Sequence, residues 1–309
     1  MDSRARQPHD DEQTVTGDSA TLAAETREPD GSTSFCIGIC SNRPGGLYNA
    51  VASVLALDGP PFEVIVVAQG GPAGWADDNL AALRDNPRLR IVYDAGRGVS
   101  RARNIVLRET ASDIVVFTDD DCVADPHWLQ AHADVYRRQP DVMMIFGTVD
   151  PPVGYIDTEG MVPTFDPKKE LGSVRLRGRI ALGLGANMSV RRSALEYIGY
   201  FDELLGPGSL LQSAEEFDLS LRATAAGLRV VAEPRAVIIH AGGVRPVGDI
   251  SRTLWQRDGF AIGAVIAKQA RLRHWPGVVA LTGFLGGIAT DAVRRLFRGR
   301  RPYRLTMAA

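Results

Sequence analysis

The sequence predicts an α/β domain with a mainly parallel sheet and helices on both faces, followed by a C-terminal helical tail. Short apolar, β-branched runs alternate with helix-period stretches from Phe35 to Val149. Turn-forming residues punctuate the alternation. Strict strand–helix order selects parallel pairing through right-handed crossovers, with ligands beyond the carboxyl ends of the strands.

Residues 1–33 are polar and acidic, without a periodic apolar face, and read as a disordered tail. Phe35 to Cys40 is the first strand, broken by Ser41-Asn42-Arg43-Pro44-Gly45-Gly46. Leu47 to Leu57 is helical, with Leu47, Val51, Val54 and Leu55 on one face. Strands follow at Phe62–Ala68 and Leu89–Tyr93, separated by a helix over Trp75–Arg84. Gly98–Glu109 is a helix with Val99, Ala102, Ile105 and Val106 inward. The strand at Ile114 runs into Asp119-Asp120-Asp121, Pro126 opens a helix to Arg138, and Val142–Val149 is the fifth strand. From Pro151 to Arg179 the pattern dissolves, as expected of a binding wall. A short helix at Arg191–Ile198 and a Gly- and Pro-bearing loop at Phe201–Ser213 come next. A helix at Ala214–Ala226 and two short strands, Leu228–Ala232 and Ala236–His240, complete the domain. The expected units are 1–33, 34–245 and 246–309.

The net charge of −2 over 309 residues argues against a general nucleic-acid binder. It conceals an acidic head and a basic tail, with nine Lys or Arg against Asp291 from Lys268 onward. Three cysteines, Cys36, Cys40 and Cys122, lack disulfide or zinc-site spacing and point to a reducing compartment. The acidic N-terminus has no apolar core of a secretory leader. Arg252–Arg273 reads as a helix with Leu254, Ile262, Val265 and Ile266 on its apolar face. The uncharged run Trp275–Thr290, flanked by arginines, reads as a helix lying on an anionic membrane. A short span, or packing on the domain or a second subunit, are its alternatives.

Three carboxylates behind a buried strand repel one another and call for a divalent cation. In extended backbone residues i and i+2 share a face, so Asp119 and Asp121 are expected to face one site and Asp120 another. Hard carboxylate oxygens suit Mg²⁺ or Mn²⁺ bound with a diphosphate. There is no phosphate-binding G-x-x-x-x-G-K-[ST], no H-E-x-x-H and no G-x-S-x-G.

Six blocks in order carry a family resemblance: Cys40–Pro44, Gly98–Asn104, Phe117–Asp121, Gly185–Arg192, Gly199–Glu203 and Glu215–Arg222. They resemble the T-x-N-R-P, G-x-S-x-A-R-N, D-x-D, G-x-N-M-x-x-R-R, G-G-F-D-E and E-D-x-D-L-x-x-R blocks of inverting family 2 glycosyltransferases. That family has the GT-A fold, a Rossmann-like α/β layer structure. The resemblance spans about Phe35 to Gly242.

It implies a sugar transfer from a nucleoside diphosphate to a hydroxyl acceptor in polysaccharide or glycolipid synthesis, with Mg²⁺ or Mn²⁺ as cofactor. Asp119 and Asp121 would hold the metal on the donor diphosphate, Asp120 would lie at the donor, and His240 would complete the metal site. Ser41, Asn42 and Arg43 would lie against the nucleoside. Arg97, Arg101 and Arg103 would supply charge near the phosphates or brace the aspartates. Glu216 would be the catalytic base, with Glu215 and Asp218 as rivals, and the glycines after His240 would form a lid. The enzyme would work in the cytoplasm at the inner face of the membrane, on a saccharide or lipid-linked acceptor. Two positions depart from the family. Ala68 and Gln69 stand where one or two acids contact the base or ribose, with Gln69 still able to bind the donor by hydrogen-bonding a base edge, and Glu216 replaces the second acid of the E-D pair with a longer chain. A non-catalytic GT-A-like scaffold subunit and a nucleotidyltransferase are the alternatives; the latter lacks its Gly-rich, Lys-bearing loop.

Overall fold

The computed structural model describes residues 33–72, 74–155, 162–168, 183–242 and 249–274. The expected disordered head, much of the wall at 151–179 and the uncharged run after Trp275 lie outside these residues.

Eight strands form one sheet: β1 (Phe35–Ser41), β2 (Phe62–Gln69), β3 (Leu89–Asp94), β4 (Ile114–Asp119), β5 (Cys122–Ala124), β6 (Val142–Asp150), β7 (Met188–Arg191) and β8 (Arg229–His240). Their order is β3-β2-β1-β4-β7-β6-β8-β5. The helices are α1 (Leu47–Leu55), α2 (Trp75–Asn79), α3 (Val99–Glu109), α4 (Trp128–Arg138), α5 (Leu195–Ile198), α6 (Glu215–Ala225) and α7 (Asp249–Arg271).

β1, β2, β3 and β4 pair in parallel, as the alternation requires. β7 enters antiparallel between β4 and β6, and β6 pairs in parallel with β8. The sheet is therefore mixed, because Met188–Arg191 arrives after a long excursion rather than through a helical crossover. Residues 114–118 of β4 are all buried, although neighbours point to opposite faces; both faces are covered. α3 packs on β1 and β2, and α4 packs on β8 and β6.

Three local differences have physical causes. The helix at Trp75 stops at Asn79 and continues as turns. The two short strands expected after Gly227 are one twelve-residue strand, Arg229–His240. Its register against β6 shifts at Gly147/Thr148, so Pro234, which has no N–H to give, sits in the irregularity. Thr148 Oγ1 donates to the Pro234 carbonyl there at 3.0 Å, and a Cβ on Gly147 would overlap the Ala236 carbonyl. The third difference is β5, three residues long, which pairs antiparallel with the end of β8.

α7 packs its Ala261 and Val265 against Leu205, Phe217 and Leu221, with Ile262 and Ile266 alongside. Ile262, Val265 and Ile266 are the expected apolar face; the Leu254 side chain lies outside what is described.

Candidate active site

β1, β2, β3, β4 and β8 all end at one edge of the sheet, at Ser41, Gln69, Asp94, Asp119 and His240. Carboxyl ends are where such sheets bind ligands. The chain leaves β4 at Asp119, turns at Asp120–Asp121 and re-enters the sheet as β5. Alternation needs extended backbone, so this turn redistributes the three carboxylates.

Asp120 is buried and accepts from Ser41 Oγ at 2.5 Å and Arg43 Nη2 at 3.0 Å. Burial still raises its pKa against those two partners. Asp121 accepts from the same Arg43 nitrogen at 2.8 Å. Asp119 faces Arg103 Nη2 at 3.4 Å. Loss of water raises the Asp119 pKa against the pull of Arg103, and Asp121 adds to the rise. The 35% of its side chain open to the cleft tempers that rise. The Ser41–Arg43 turn is thus tied to the aspartates, while Asn42 and Arg43 stay exposed.

The end of β8 closes on this turn. Gly242 N–H donates to the Asp121 carbonyl at 2.9 Å, and any Cβ there would overlap the Asp121 carboxylate. His240 Nε2 lies 3.8 Å from Asp121 Oδ1, and its Nδ1 is buried without a hydrogen-bond partner. Asp121, Cys122 and His240 bring one ligand atom each to within 4.8 Å of one another. Asp119 is outside that group. A cavity of about 340 Å³ opens beside it, lined by Arg43, Gly46, Asn49, Asp121, Cys122 and Gly242 among others.

The three acids at the start of α6 have three different environments. Glu215 is buried and accepts from Arg103 Nη1 at 2.9 Å. Asp218, fully buried, pairs with Arg222 Nε at 2.9 Å and Lys268 Nζ at 3.0 Å, with Gln269 Nε2 at 3.4 Å. Glu216 has neither: its Oε2 is buried without a partner. Burial, then repulsion from Glu215, pushes the Glu216 pKa well above the carboxylate range, against Arg103. Ala214 precedes the helix at φ 69°, a strained conformation for alanine.

Arg103 is only 3% exposed and lies against the rings of Phe117 and Phe201, at 5.8 and 5.6 Å. Burial disfavours its charge, yet Glu215 and Asp119 hold its pKa above the ordinary value. It thus joins Asp119 at the end of β4 to Glu215 at the start of α6. Ser100 Oγ donates to the Leu205 carbonyl at 2.7 Å, and the Asn104 amide exchanges hydrogen bonds with the Phe201 backbone at 3.0 and 2.9 Å. The serine and asparagine of that block therefore pin the loop leading to α6.

Arg101 grips Asp94 through two bonds of 2.9 Å, and Gln69 Nε2 donates to the same carboxylate at 2.9 Å. Arg101 holds the Asp94 carboxyl down at about 2, with Gln69 assisting against the effect of burial. Gln69 is itself only 4% exposed. Asp94 thus places a carboxylate beside Gln69, at the end of the strand next to β2. Its signal in the sequence was its place at the end of the adjacent parallel strand, in register with Gln69. Lys268 also carries no local signal, because its partners Asp202 and Asp218 are remote in sequence.

Asn187, the asparagine of the fourth block, is structural. Its Oδ1 accepts from Trp128 Nε1 at 2.8 Å and from His132 Nε2 at 3.2 Å. Its amide donates to the Thr148 and Ala236 carbonyls, joining α4, β6 and β8. Ser189 and Tyr136 complete the chain at His132 Nδ1, so every member is satisfied.

The fold and this edge define the class of protein: a GT-A glycosyltransferase fold. The mannosyltransferase of Pyrobaculum calidifontis, solved with GDP-Man and Mn²⁺, aligns at TM-score 0.58 over 89% of this chain and 81% of its own, with 18% identity. S. aureus TarS with UDP-GlcNAc aligns at 0.51 over 70% of this chain and 60% of its own, with 17% identity. At such identities the likeness is one of fold. Residues 36–199 match the model of Glycosyl transferase family 2, and the chain belongs to that family. It is 27% identical over 202 residues to the glucosyl-dolichyl phosphate glucuronosyltransferase of Haloferax volcanii, covering 62% of each chain. It is 25% identical over 205 residues to the pre-mycofactocin glycosyltransferase of Mycobacterium tuberculosis, covering 64% of this chain and 40% of that one. The chain spans less than two thirds of either relative's length.

Proposed function

We propose that this chain is a metal-dependent, inverting glycosyltransferase. It moves a sugar from a nucleoside diphosphate to a hydroxyl of a saccharide or lipid-linked saccharide, in polysaccharide or glycolipid synthesis. Glu216 carries this reading, being the one acid of the α6 trio without a cation partner. Its carboxylate takes the acceptor hydroxyl proton as that oxygen bonds to the anomeric carbon. The sugar–phosphate bond breaks on the opposite side and its electron pair leaves with the diphosphate. A base with a raised pKa is better matched to neutral pH than an ordinary carboxylate.

Asp121 and His240 fit a divalent cation: a hard carboxylate oxygen stands 3.8 Å from the Nε2 of a buried imidazole. Asp119 adds negative charge at the cleft. Mg²⁺ or Mn²⁺ bound there would neutralise charge on the departing diphosphate. Exposed Asn42 and Arg43 face the nucleoside side, with Ser41 and Asp120 holding their turn. Gln69 acts in base recognition through the Asp94–Arg101 cluster, and Arg103 acts as a brace. The Mn²⁺ and GDP-Man of the Pyrobaculum structure and the lipid-linked substrate named for the Haloferax relative support these choices.

Among the described residues no helix is long and apolar enough to cross a membrane. The enzyme works in the cytoplasm, held at the inner face of the membrane by its basic C-terminal region. The expected units at 34–245 and 246–309 remain part of this proposal, with α7 docked on α6.

The test is diphosphate release from a panel of nucleotide sugars with Mn²⁺ or Mg²⁺, before and after chelation, with the product anomer read by NMR. Release that needs metal, with inverted product, is expected. Retention of configuration overturns the inverting step, and full activity in chelator overturns the metal. No turnover and no thermal shift with any donor selects the non-catalytic scaffold.

A further inference from the structure

We propose that Cys122 is a third protein ligand in the cation site, so that the site favours borderline-soft cations such as Zn²⁺ and Co²⁺ over Mg²⁺. This rests on the proposed metal dependence and goes beyond it. The proposal starts from strand pairing. β5 runs antiparallel to the end of β8 with Cys122 directly opposite His240. Directly opposed residues in such a pair project to the same face, so thiol and imidazole stand side by side. The Cys122 Sγ lies 3.9 Å from Asp121 Oδ1, and His240 Nε2 lies 3.8 Å from the same oxygen. Zinc–sulfur and zinc–nitrogen or –oxygen bonds of about 2.3 and 2.0–2.2 Å in a tetrahedron put ligand atoms about 3.4–3.6 Å apart. These two spacings need only a few tenths of an ångström of closure, and all three donor atoms lie within 4.8 Å of one another.

Two further observations separate this from a buried cysteine that merely fills space. His240 is 7% exposed, so the Nε2 that it turns toward Asp121 is held largely out of bulk water. Cys122 also borders the cavity beside Asp121, although it is 1% exposed. Asp, Cys and His make three protein ligands, which leaves a position for a diphosphate oxygen as in open zinc sites. On coordination the thiol proton passes to solvent and sulfur binds as thiolate. A thiolate donor favours Zn²⁺ and Co²⁺, whereas a carboxylate and imidazole alone leave Mg²⁺ and Mn²⁺ competitive.

Cobalt titration of the full chain tests this by absorbance, with and without a nucleoside diphosphate. The expected result is one Co²⁺ per chain with a sulfur-to-cobalt charge-transfer band in the near ultraviolet. Cys122→Ser and Cys122→Ala lose that band and keep weaker visible cobalt absorption. Cys40→Ser, removing the other thiol near the aspartates, keeps it. Zn²⁺ displaces Co²⁺ from the wild type, and its advantage over Mg²⁺ shrinks by about tenfold or more in Cys122→Ser. Cobalt bound without the charge-transfer band in the wild type overturns the Cys122 ligand and leaves the metal dependence standing. No cobalt binding under either condition overturns the metal reading and this inference together. The wild-type spectrum alone decides, so a variant that folds poorly does not block the test.

Discussion

Arg103→Met should destabilise the protein by about 3–5 kcal/mol, because it leaves a buried carboxylate without its counter-charge. Arg103 is 3% exposed and bridges Glu215 at 2.9 Å and Asp119 at 3.4 Å. The two partners do not share the loss equally. The Glu215 side chain is 7% exposed and cannot hydrate when the guanidinium goes. Asp119 is 35% exposed and recovers much of its solvation from the cleft. Methionine refills the space against Phe117 and Phe201, so packing contributes little and the cost is electrostatic. At about 2–4 °C per kcal/mol, the thermal midpoint should fall by roughly 6–20 °C. The assay is urea and thermal unfolding of the wild type, Arg103→Met, and Arg103→Met combined with Glu215→Gln. Neutralising Glu215 should restore at least about 1 kcal/mol in the double variant. A single variant within about 1 kcal/mol of wild type, or a double variant less stable than the single, would refute the assignment of Arg103 as the brace of Glu215.

Glu216→Gln should lower turnover by about 10²–10⁴-fold and leave the unfolding midpoint unchanged or higher, since the folded state already disfavours the charged form of this acid; the acidic limb of the wild-type pH–rate profile should lie well above the ordinary carboxylate range, and a limb near the usual value counts against this base. His132, held neutral by burial, has its pKa lowered from 6.5 to about 4. As pH falls through that window the unfolded chain takes up a proton that the folded chain refuses, so stability drops by up to about 3 kcal/mol. Unfolding curves for wild type and His132→Gln should converge toward low pH, and parallel curves contradict the shift. Gly242→Ala should push the Asp121 carboxylate aside and weaken Mn²⁺ binding in a metal titration with little change in the unfolding midpoint, because Gly242 lies at the strand end rather than in the core; unchanged Mn²⁺ affinity argues against Asp121 as a ligand. Lys268→Ala should cost more stability than Lys268→Arg, since Asp218 is fully buried and would lose one of its cations; equal losses in denaturant unfolding count against α7 as an anchor of α6.

Much of the sheet was legible because its signals are local. The apolar run at Ile114–Phe117 reports burial by periodicity alone and is buried throughout; of the expected helix face, Ala102 and Val106 are buried while Val99 and Ile105 are half-buried, because Ser100, Arg103 and Asn104 also take inner positions. What failed was pairing. β5 is too short to announce itself, and its existence depends on the end of β8 lying beside it. The single strand Arg229–His240 looked like two because Pro234 interrupts the pattern, and only the bulge against Gly147 accommodates it. In the site, the aspartates and the acidic helix start were visible as residue types. Their division of labour was not.

By itself the sequence determined the α/β layering, the edge on which chemistry gathers, and the short list of acids, because spacing and propensity act within a few residues. Only the tertiary structure decided what surrounds each acid. Glu215, Glu216 and Asp218 lie within one turn of helix. They are sorted by partners from α3 and α7: Arg103 takes the first, Lys268 takes the third, and the middle one faces neither. The same holds for the aspartate turn, where both Asp120 and Asp121 accept from Arg43, Ser41 at the end of β1 takes Asp120, and Asp121 alone meets the end of β8. A carboxylate's role is set by the charge and solvent around it, and those come from residues that meet only when the chain has folded.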